Sequence, residues 1–139
     1  MIKQCSICTN PLKKNAKQFC SKACQHIHNY NQYIERWLNG EEDGLRGGVA
    51  VSRHIRRWMI QTYGEKCSKC GWAERNPFTD SIPIRLDHID GNWKNCRPEN
   101  FRFLCPNCDS LTTTYGSLNR GKGRPYFVQK GSNGLSVTD

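Results

Sequence analysis

The sequence predicts a small α+β protein whose stability depends on cross-links between cysteines more than on a large core. Only 36% of its 139 residues are hydrophobic, and nine residues are cysteines. Apolar residues recur at helical spacing over 21–38, and two short apolar runs, 82–86 and 101–104, indicate strands. Small domains that bury little apolar surface usually need such cross-links.

The first cysteine set lies at the N-terminus and comprises two close pairs: Cys5, Cys8, Cys20 and Cys24. Two pairs at these spacings can close one tetrahedral Zn²⁺ site, in which each Zn–S bond is about 2.3 Å. Free thiols or two disulfides are the alternatives, and His26 or His28 could replace one ligand. No charged-then-apolar leader is visible, and paired cysteines without a secretory signal favour zinc.

The second cysteine set comprises two Cys-x-x-Cys pairs separated by 34 residues: Cys67, Cys70, Cys105 and Cys108. These spacings predict a second structural zinc ion, which ties the start of a domain to the junction between its second strand and its last helix. Binding of such a metal contributes directly to the free energy of folding. Cys96, the ninth cysteine, has no pairing partner and is interpreted as a bystander.

Two helices are predicted in the N-terminal half. The first ends before Gly40 and carries an apolar stripe for core packing: Ala23, Ile27, Tyr30, Ile34, Trp37 and Leu38. The second begins after Ser52, which suits a helix N-cap, and ends at Tyr63 before Gly64. Three arginines share one face of this helix and are predicted to bind phosphates, with a solubilising basic face as the alternative: Arg53, Arg56 and Arg57.

The chain is predicted to comprise four parts. A zinc knuckle with its helix occupies 1–39, a Gly-rich acidic linker 40–51, a compact domain 52–119 and a basic Gly-rich tail 120–139. Basic residues of the tail are predicted to follow a DNA groove, unless the tail is a loose terminus: Arg120, Lys122 and Arg124.

The chain has 21 Lys and Arg residues against 12 Asp and Glu, which gives a net charge of +9. This excess favours a polyanionic partner, because cationic side chains displace counterions from a nucleic-acid backbone. No apolar run approaches the roughly 20 residues that a membrane span needs. Double-stranded DNA is therefore the predicted partner, and no membrane is expected.

The chemistry is expected at Asp87 and His88, at the end of the first apolar run. Neighbouring side chains of a strand point to opposite faces. Hydrolysis of a phosphodiester needs a base for the attacking water and a cation for the developing negative charge. A neutral imidazole suits the first task near pH 7, and a carboxylate that binds Mg²⁺ or Mn²⁺ suits the second. A histidine merely paired with an acid is the alternative.

The stretch 84–119 resembles the HNH (ββα-metal) nuclease motif through Asp87, His88, Asn100 and the sequence Cys-Pro-Asn-Cys. The similarity extends over about 52–124 and is typical of small free-standing HNH endonucleases of phages and prophages. It implies a ββα-metal module in which Asp87 binds the catalytic divalent cation, His88 is the general base and Asn100 braces the loop. A simple helix or turn cap is the alternative role for Asn100.

One position departs from the motif, because Asp109 stands where such proteins usually have a final histidine. A carboxylate binds Mg²⁺ or Mn²⁺ well, so Asp109 could be the second ligand of the cation and favour hard metals. Alternatively, the replacement weakens catalysis and leaves a zinc-dependent DNA-binding protein. Asp90 could also bind the metal and Asn119 could lie near it, but a turn acid and a tail residue are the favoured interpretations.

The resemblance therefore implies a homing-type or restriction-type DNA endonuclease in the cytoplasm of a bacterial or phage-infected cell. It implies two structural zinc ions and one catalytic Mg²⁺ or Mn²⁺. One active site would nick one strand and leave a 5′ phosphate and a 3′ hydroxyl, and the sequence leaves a homodimer open. RNA binding by the basic zinc knuckle is a third interpretation.

Overall fold

The computed structural model describes residues 1–124. In chain order it contains helix α1, strands β1 and β2, helix α2, strands β3 and β4 and helix α3: Lys22–Leu38, Leu45–Arg46, Ala50–Val51, Arg53–Tyr63, Arg85–His88, Phe101–Leu104 and Pro106–Ser110. Two short 3₁₀ turns lie at Pro98–Asn100 and Gly116–Asn119. The predicted small α+β class is confirmed. Of the helices within 1–124, none has the length and apolar character needed to cross a membrane.

Helix α1 buries the central part of its predicted apolar stripe and exposes both ends. Tyr30, Ile34 and Trp37 are buried, while Ala23 and Leu38 are exposed to solvent. The buried residues follow each other at spacings of four and three, so they lie on one face of the helix. This face packs into the main hydrophobic core of the protein.

The segment 40–51, which the sequence predicts to be a linker, contains a two-stranded antiparallel sheet of β1 and β2. It also packs tightly on the core at Gly44, where an added Cβ would lie 2.7 Å from Cys96 Cβ and 2.8 Å from Ile55 Cδ1. A larger residue at position 44 would therefore displace its neighbours. This segment is an ordered part of the fold, and the division of the chain into domains stays a prediction.

Helix α2 begins and ends where the sequence predicts, after the cap Ser52 and before Gly64. Its inner face carries Ile55 and Met59, both fully buried. They share one hydrophobic core with buried residues of α1 and β4: Tyr30, Ile34, Trp37, Phe101 and Phe103. This core joins α1 and α2 to β4. Burial of each of its large apolar side chains stabilises the protein by roughly 1.5–3 kcal/mol.

The loop between β3 and β4 is attached to α1 by a buried hydrogen bond. The indole N–H of Trp37 donates to the backbone oxygen of Cys96 at 2.7 Å. Arg97, the next residue, donates to the backbone oxygen of Trp37, also at 2.7 Å. These two bonds fix the loop that follows His88 against the N-terminal helix.

Strands β3 and β4 form an antiparallel hairpin, and helix α3 follows β4 directly. The register pairs Asp87 with Arg102 and His88 with Phe101. Cys105 is the N-cap of α3, because its sulfur accepts a hydrogen bond from the backbone N–H of Cys108 at 3.4 Å. Two strands and a helix therefore occur in the order that the sequence predicts around the candidate chemistry.

Candidate functional site

The four N-terminal cysteines converge on one point. The sulfur atoms of Cys5, Cys8, Cys20 and Cys24 all lie within 4.8 Å of one another. Cys8 Sγ lies 3.4 Å from Cys20 Sγ, which lies 3.6 Å from Cys24 Sγ. A tetrahedral ion with Zn–S bonds of about 2.3 Å spaces its sulfur ligands by roughly 3.8 Å, so this set could hold a zinc ion.

The second cysteine set converges in the same way, at the junction of β4 and α3. The sulfur atoms of Cys67, Cys70, Cys105 and Cys108 lie within 4.8 Å of one another. The loop of the first pair is also attached to β4, because both the backbone N–H and the hydroxyl of Ser68 donate to the oxygen of Phe103, at 2.8 and 2.9 Å. This set too could hold a zinc ion.

Backbone N–H groups favour a thiolate in each cysteine set. The N–H of Cys8 is the largest influence on Cys5 and lowers the pKa of its thiol to about 6. Burial raises the pKa of Cys67, but the N–H groups of Cys105, Cys70 and Lys69 together outweigh it and lower that pKa to about 6. Because zinc binds the thiolate, one ligand of each set is already in the binding form at neutral pH.

A cleft of about 400 Å³ lies between α2, β3, α3 and the C-terminal 3₁₀ turn. The predicted base and the two predicted metal ligands line it, together with two arginines of α2: Arg53, Arg56, Asp87, His88 and Asp109. Asn100, the other predicted catalytic residue, is not among the lining residues. These residues come from distant parts of the sequence, so the fold brings the candidate base, two carboxylates and two cations to one surface.

The imidazole of His88 is half-buried in this cleft. Its ring packs against Phe101 at a centroid distance of 4.9 Å, and its Nε2 lies 3.7 Å from Cys96 Sγ. Burial lowers the pKa of His88 below its ordinary value near 6.5, Arg124 lowers it further, and Asp87 and Asp90 only partly oppose this. The ring is therefore neutral at pH 7, the form that can accept a proton.

Asn100 is buried and braces the loop that follows His88. Its side-chain N–H₂ donates to Asp90 Oδ1 at 2.9 Å and to the backbone oxygen of Asn95 at 2.8 Å. Its Oδ1 accepts from the N–H of Asp90 at 3.1 Å, and its backbone oxygen accepts from the N–H of Ile89 at 2.8 Å. Asp90 is thus a turn acid whose oxygens are used inside the loop.

Each of the two candidate metal-binding carboxylates is paired with an arginine. Arg102 Nε donates to Asp87 Oδ2 at 2.9 Å, and an Nη atom of Arg85 donates to Asp109 Oδ2 at 3.2 Å. Among residues 1–124, groups of three or more Cys, His, Asp or Glu side chains that could hold an ion occur at the two cysteine sets and not at these carboxylates. Asp87 and Asp109 line the same cleft, and each offers carboxylate oxygens, the type of ligand that Mg²⁺ prefers.

The three predicted arginines of α2 have different surroundings. Arg53 and Arg56 line the cleft, and the guanidinium of Arg56 lies 5.3 Å from the ring centroid of Phe103. The guanidinium of Arg57 stacks over Tyr30 at 4.2 Å. Arg53 and Arg56 are therefore placed beside the candidate catalytic residues, and Arg57 stands next to them on the junction of α1 and α2.

The described part of the basic tail ends at the cleft. Arg124 lines the cleft with His88, and Lys122 lies beside Asp90 and Trp93 in a neighbouring groove. Arg120 caps the C-terminal 3₁₀ turn. The rest of the predicted tail, 125–139, lies outside the described residues.

Sequence reasoning missed three residues of this site, Arg85, Arg102 and Cys96. Arg85 could have been found, because it stands two residues before Asp87 on the same strand face. Strand register and loop packing decide three contacts of these residues: Arg85 with Asp109, Arg102 with Asp87, and Cys96 with His88. Asn119, for which a tail role is the favoured interpretation and a place near the metal the alternative, lines the cleft and contacts the loop after His88.

The chain is 40% identical over 97 residues to the H-N-H endonuclease F-TflIV of Escherichia phage T5. The chain is homologous to a phage H-N-H endonuclease. The alignment covers 66% of this chain and 40% of that relative, and it confirms the resemblance that the motif predicts. No protein-family model matches the chain, and no solved structure matches it.

Loss of one cysteine of the second set should release one metal ion. We expect Cys70→Ser to lower zinc content from two ions per chain to one and to lower the Tm by on the order of 10 °C or more, because metal binding stabilises the folded state. Elemental analysis and thermal denaturation test this. Cys96→Ser is the control, since Cys96 belongs to neither set; equal zinc content in all three proteins would contradict the assignment.

Proposed function

We propose that this protein is a divalent-metal-dependent HNH DNA endonuclease that hydrolyses phosphodiester bonds and nicks one strand per active site. The observation that carries the proposal is one cleft lined by a neutral imidazole, His88, and two carboxylates, Asp87 and Asp109, beside cationic side chains. Homology to a phage H-N-H endonuclease supports the same chemistry. A homing-type or restriction-type role in a phage or bacterial cell is part of the proposal.

His88 is the proposed general base. Its half-buried ring is neutral at pH 7, so it can take the proton of a water molecule that attacks the phosphorus. Its packing against Phe101 and its contact with Cys96 limit the orientations of the ring. Asn100 acts indirectly. It holds the backbone of Ile89 and Asp90 by hydrogen bonds, and this fixes the end of β3 that carries the imidazole.

Asp87 and Asp109 are the proposed ligands of the catalytic cation, with Mg²⁺ or Mn²⁺ as the expected metal. When bound, such an ion stabilises negative charge on the phosphate and on the leaving 3′ oxygen. Arg85 is largely exposed, with 71% of its side chain accessible, so its ion pair with Asp109 is weak and readily exchanged. Arg102 is more enclosed and holds Asp87 in one orientation through a single oxygen.

DNA is the proposed substrate, bound mainly through its phosphates. The net charge of +9 supplies the general attraction, and Arg53 and Arg56 place two guanidinium groups at the edge of the catalytic cleft. Arg57, Arg120, Lys122 and Arg124 extend the proposed contact surface. The domain 52–119 with its zinc ion would form the ββα-metal nuclease module, and the zinc knuckle at 1–39 would add DNA contacts.

A zinc-dependent DNA-binding protein with weakened catalysis is the second candidate. The observation that favours it is the position of Asp109, which replaces the usual final histidine of the motif and is engaged by Arg85. The two candidates differ in whether the carboxylate of Asp109 supports cleavage.

The nuclease is tested with supercoiled plasmid and Mg²⁺ or Mn²⁺. We expect metal-dependent nicking that His88→Ala lowers by about 10²–10⁴-fold, because the attacking water loses its base. His26→Ala is the matched control, since His26 is exposed on α1, far in sequence from the cleft residues. Plasmid binding without nicking by protein of confirmed metal content would favour the second candidate, and a preference for RNA would favour the third interpretation.

The rate of nicking should depend on pH through His88. Because burial and Arg124 lower the pKa of His88 below 6.5, the imidazole is neutral at pH 7 and the rate falls only as the pH drops through that lowered pKa. We expect the midpoint of the acidic limb below pH 6.5 at saturating metal. An acidic limb centred above pH 6.5, or one that persists unchanged in His88→Ala, contradicts the assignment of the base.

Substitution of Asp109 separates the two candidate functions. If Asp109 is a working ligand, Asp109→Ala should lower nicking by at least about 10²-fold while DNA binding persists, because the cation loses one of its two carboxylates. Asp109→His should retain nicking and broaden the range of active metals towards softer ions. A parent chain that does not cut, beside an Asp109→His variant that does, would show that Asp109 inactivates the site.

A further inference from the structure

The C-terminal 3₁₀ turn, Gly116–Asn119, lies against the loop that follows the candidate base. The side-chain N–H₂ of Asn119 donates a hydrogen bond to the backbone oxygen of Gly91 at 2.8 Å. This contact joins residues that are 28 positions apart in the sequence. It places the C-terminal 3₁₀ turn at the wall of the cleft that also contains His88.

The contact is close enough to require glycine at position 91. Gly91 has a φ of +73°, a conformation that residues with a side chain rarely adopt. A Cβ added there would lie 2.1 Å from Asn119 Oδ1 and 2.9 Å from Thr114 Cγ2. The absence of a side chain on Gly91 is what admits the amide of Asn119.

Gly91 in turn is hydrogen-bonded to the backbone of His88, the candidate base. Its N–H donates to the backbone oxygen of His88 at 2.8 Å and closes the turn 88–91. Asn100 holds the intermediate residues Ile89 and Asp90 through their own N–H groups. The turn 88–91 is therefore held by two asparagines, Asn100 from the hairpin and Asn119 from the C-terminal segment.

The oxygen of the Asn119 amide takes no part in holding the turn. Asn119 Oδ1 is buried and has no hydrogen-bond partner within residues 1–124. A buried polar atom without a partner is unfavourable and uncommon. Since Nδ2 donates to the backbone oxygen of Gly91, the turn sets the orientation of the amide.

We infer that Asn119 is a positioning residue for His88: its amide holds the turn 88–91 through Gly91 and so fixes the imidazole in the cleft. The inference rests on the proposed function, because it assigns Asn119 to the same catalytic site. Asn119 acts through the backbone and does not accept or donate the proton of the reaction. Its loss leaves Asn100 as the remaining side-chain brace of the turn.

A different role for the same residue, a third ligand for the cation through Oδ1, makes the opposite prediction for one variant. Asn119→Asp keeps an oxygen ligand and adds a charge, which would strengthen a metal site. The same change removes the donor to Gly91 and places a carboxylate oxygen against the backbone oxygen, which opens the turn. The aspartate variant therefore distinguishes the two roles.

The experiment compares the parent chain with Asn119→Ala, Asn119→Asp and Leu118→Ala. Leu118 is the matched control, because it lies in the same 3₁₀ turn and 70% of its surface is exposed. Two quantities are measured: plasmid nicking at saturating Mg²⁺ or Mn²⁺, and hydrogen exchange of the Gly91 N–H by NMR. Zinc content and Tm establish that each variant is folded.

We expect both Asn119 variants to exchange the Gly91 N–H faster and to lower kcat by about tenfold or more, with KM changed less than about twofold. Leu118→Ala should match the parent in both measurements. Unchanged exchange and kcat in Asn119→Ala would overturn the inference, as would full activity in Asn119→Asp. If the parent chain does not nick DNA, the proposed function fails, and the exchange rate of Gly91 still decides whether Asn119 holds the turn.

Discussion

The second cysteine set is the constraint on which the rest of the structure depends. Its sulfur atoms join the loop at 67–70 to the junction of β4 and α3, and Cys105 is at once a member of the set and the N-cap of α3. A chain with 36% hydrophobic residues has a small core, so a metal at this junction would supply much of the folding free energy. The positions of Asp109 on α3 and of His88 on β3 follow from that junction.

The charged groups of the cleft comprise two carboxylate–arginine pairs and further arginines around them. Asp87 and Asp109 are each paired with a guanidinium, so neither carboxylate is left uncompensated in its partly buried position. Arg53, Arg56 and Arg124 surround these pairs with further positive charge. An anionic backbone is attracted to such a surface, and a divalent cation could exchange with the exposed Arg85 at Asp109. Burial and the nearby Arg124 lower the pKa of His88, so its imidazole remains neutral at pH 7.

The loop after His88 shows how a small protein can hold a catalytic side chain without a large core. Asn100 satisfies polar groups of residues 89, 90 and 95, and Asn119 binds the oxygen of Gly91. The Asn100 amide donates and accepts at the same time, and the Asn119 amide donates, so two asparagines hold the backbone of this loop. Trp37 adds a third attachment through the oxygen of Cys96, which links α1 to the same loop.

The sequence by itself determined the two long helices with their Ser and Gly boundaries, the two cysteine sets and the hairpin that carries Asp87 and His88. These features depend on local periodicity, on capping residues and on ligand spacing, all of which are written in neighbouring residues. Only the tertiary structure decided that 40–51 forms a sheet, that Arg85 meets Asp109, that Cys96 touches His88 and that Asn119 reaches Gly91. Those contacts depend on strand register and on the close approach of distant segments, which spacing along the chain does not encode.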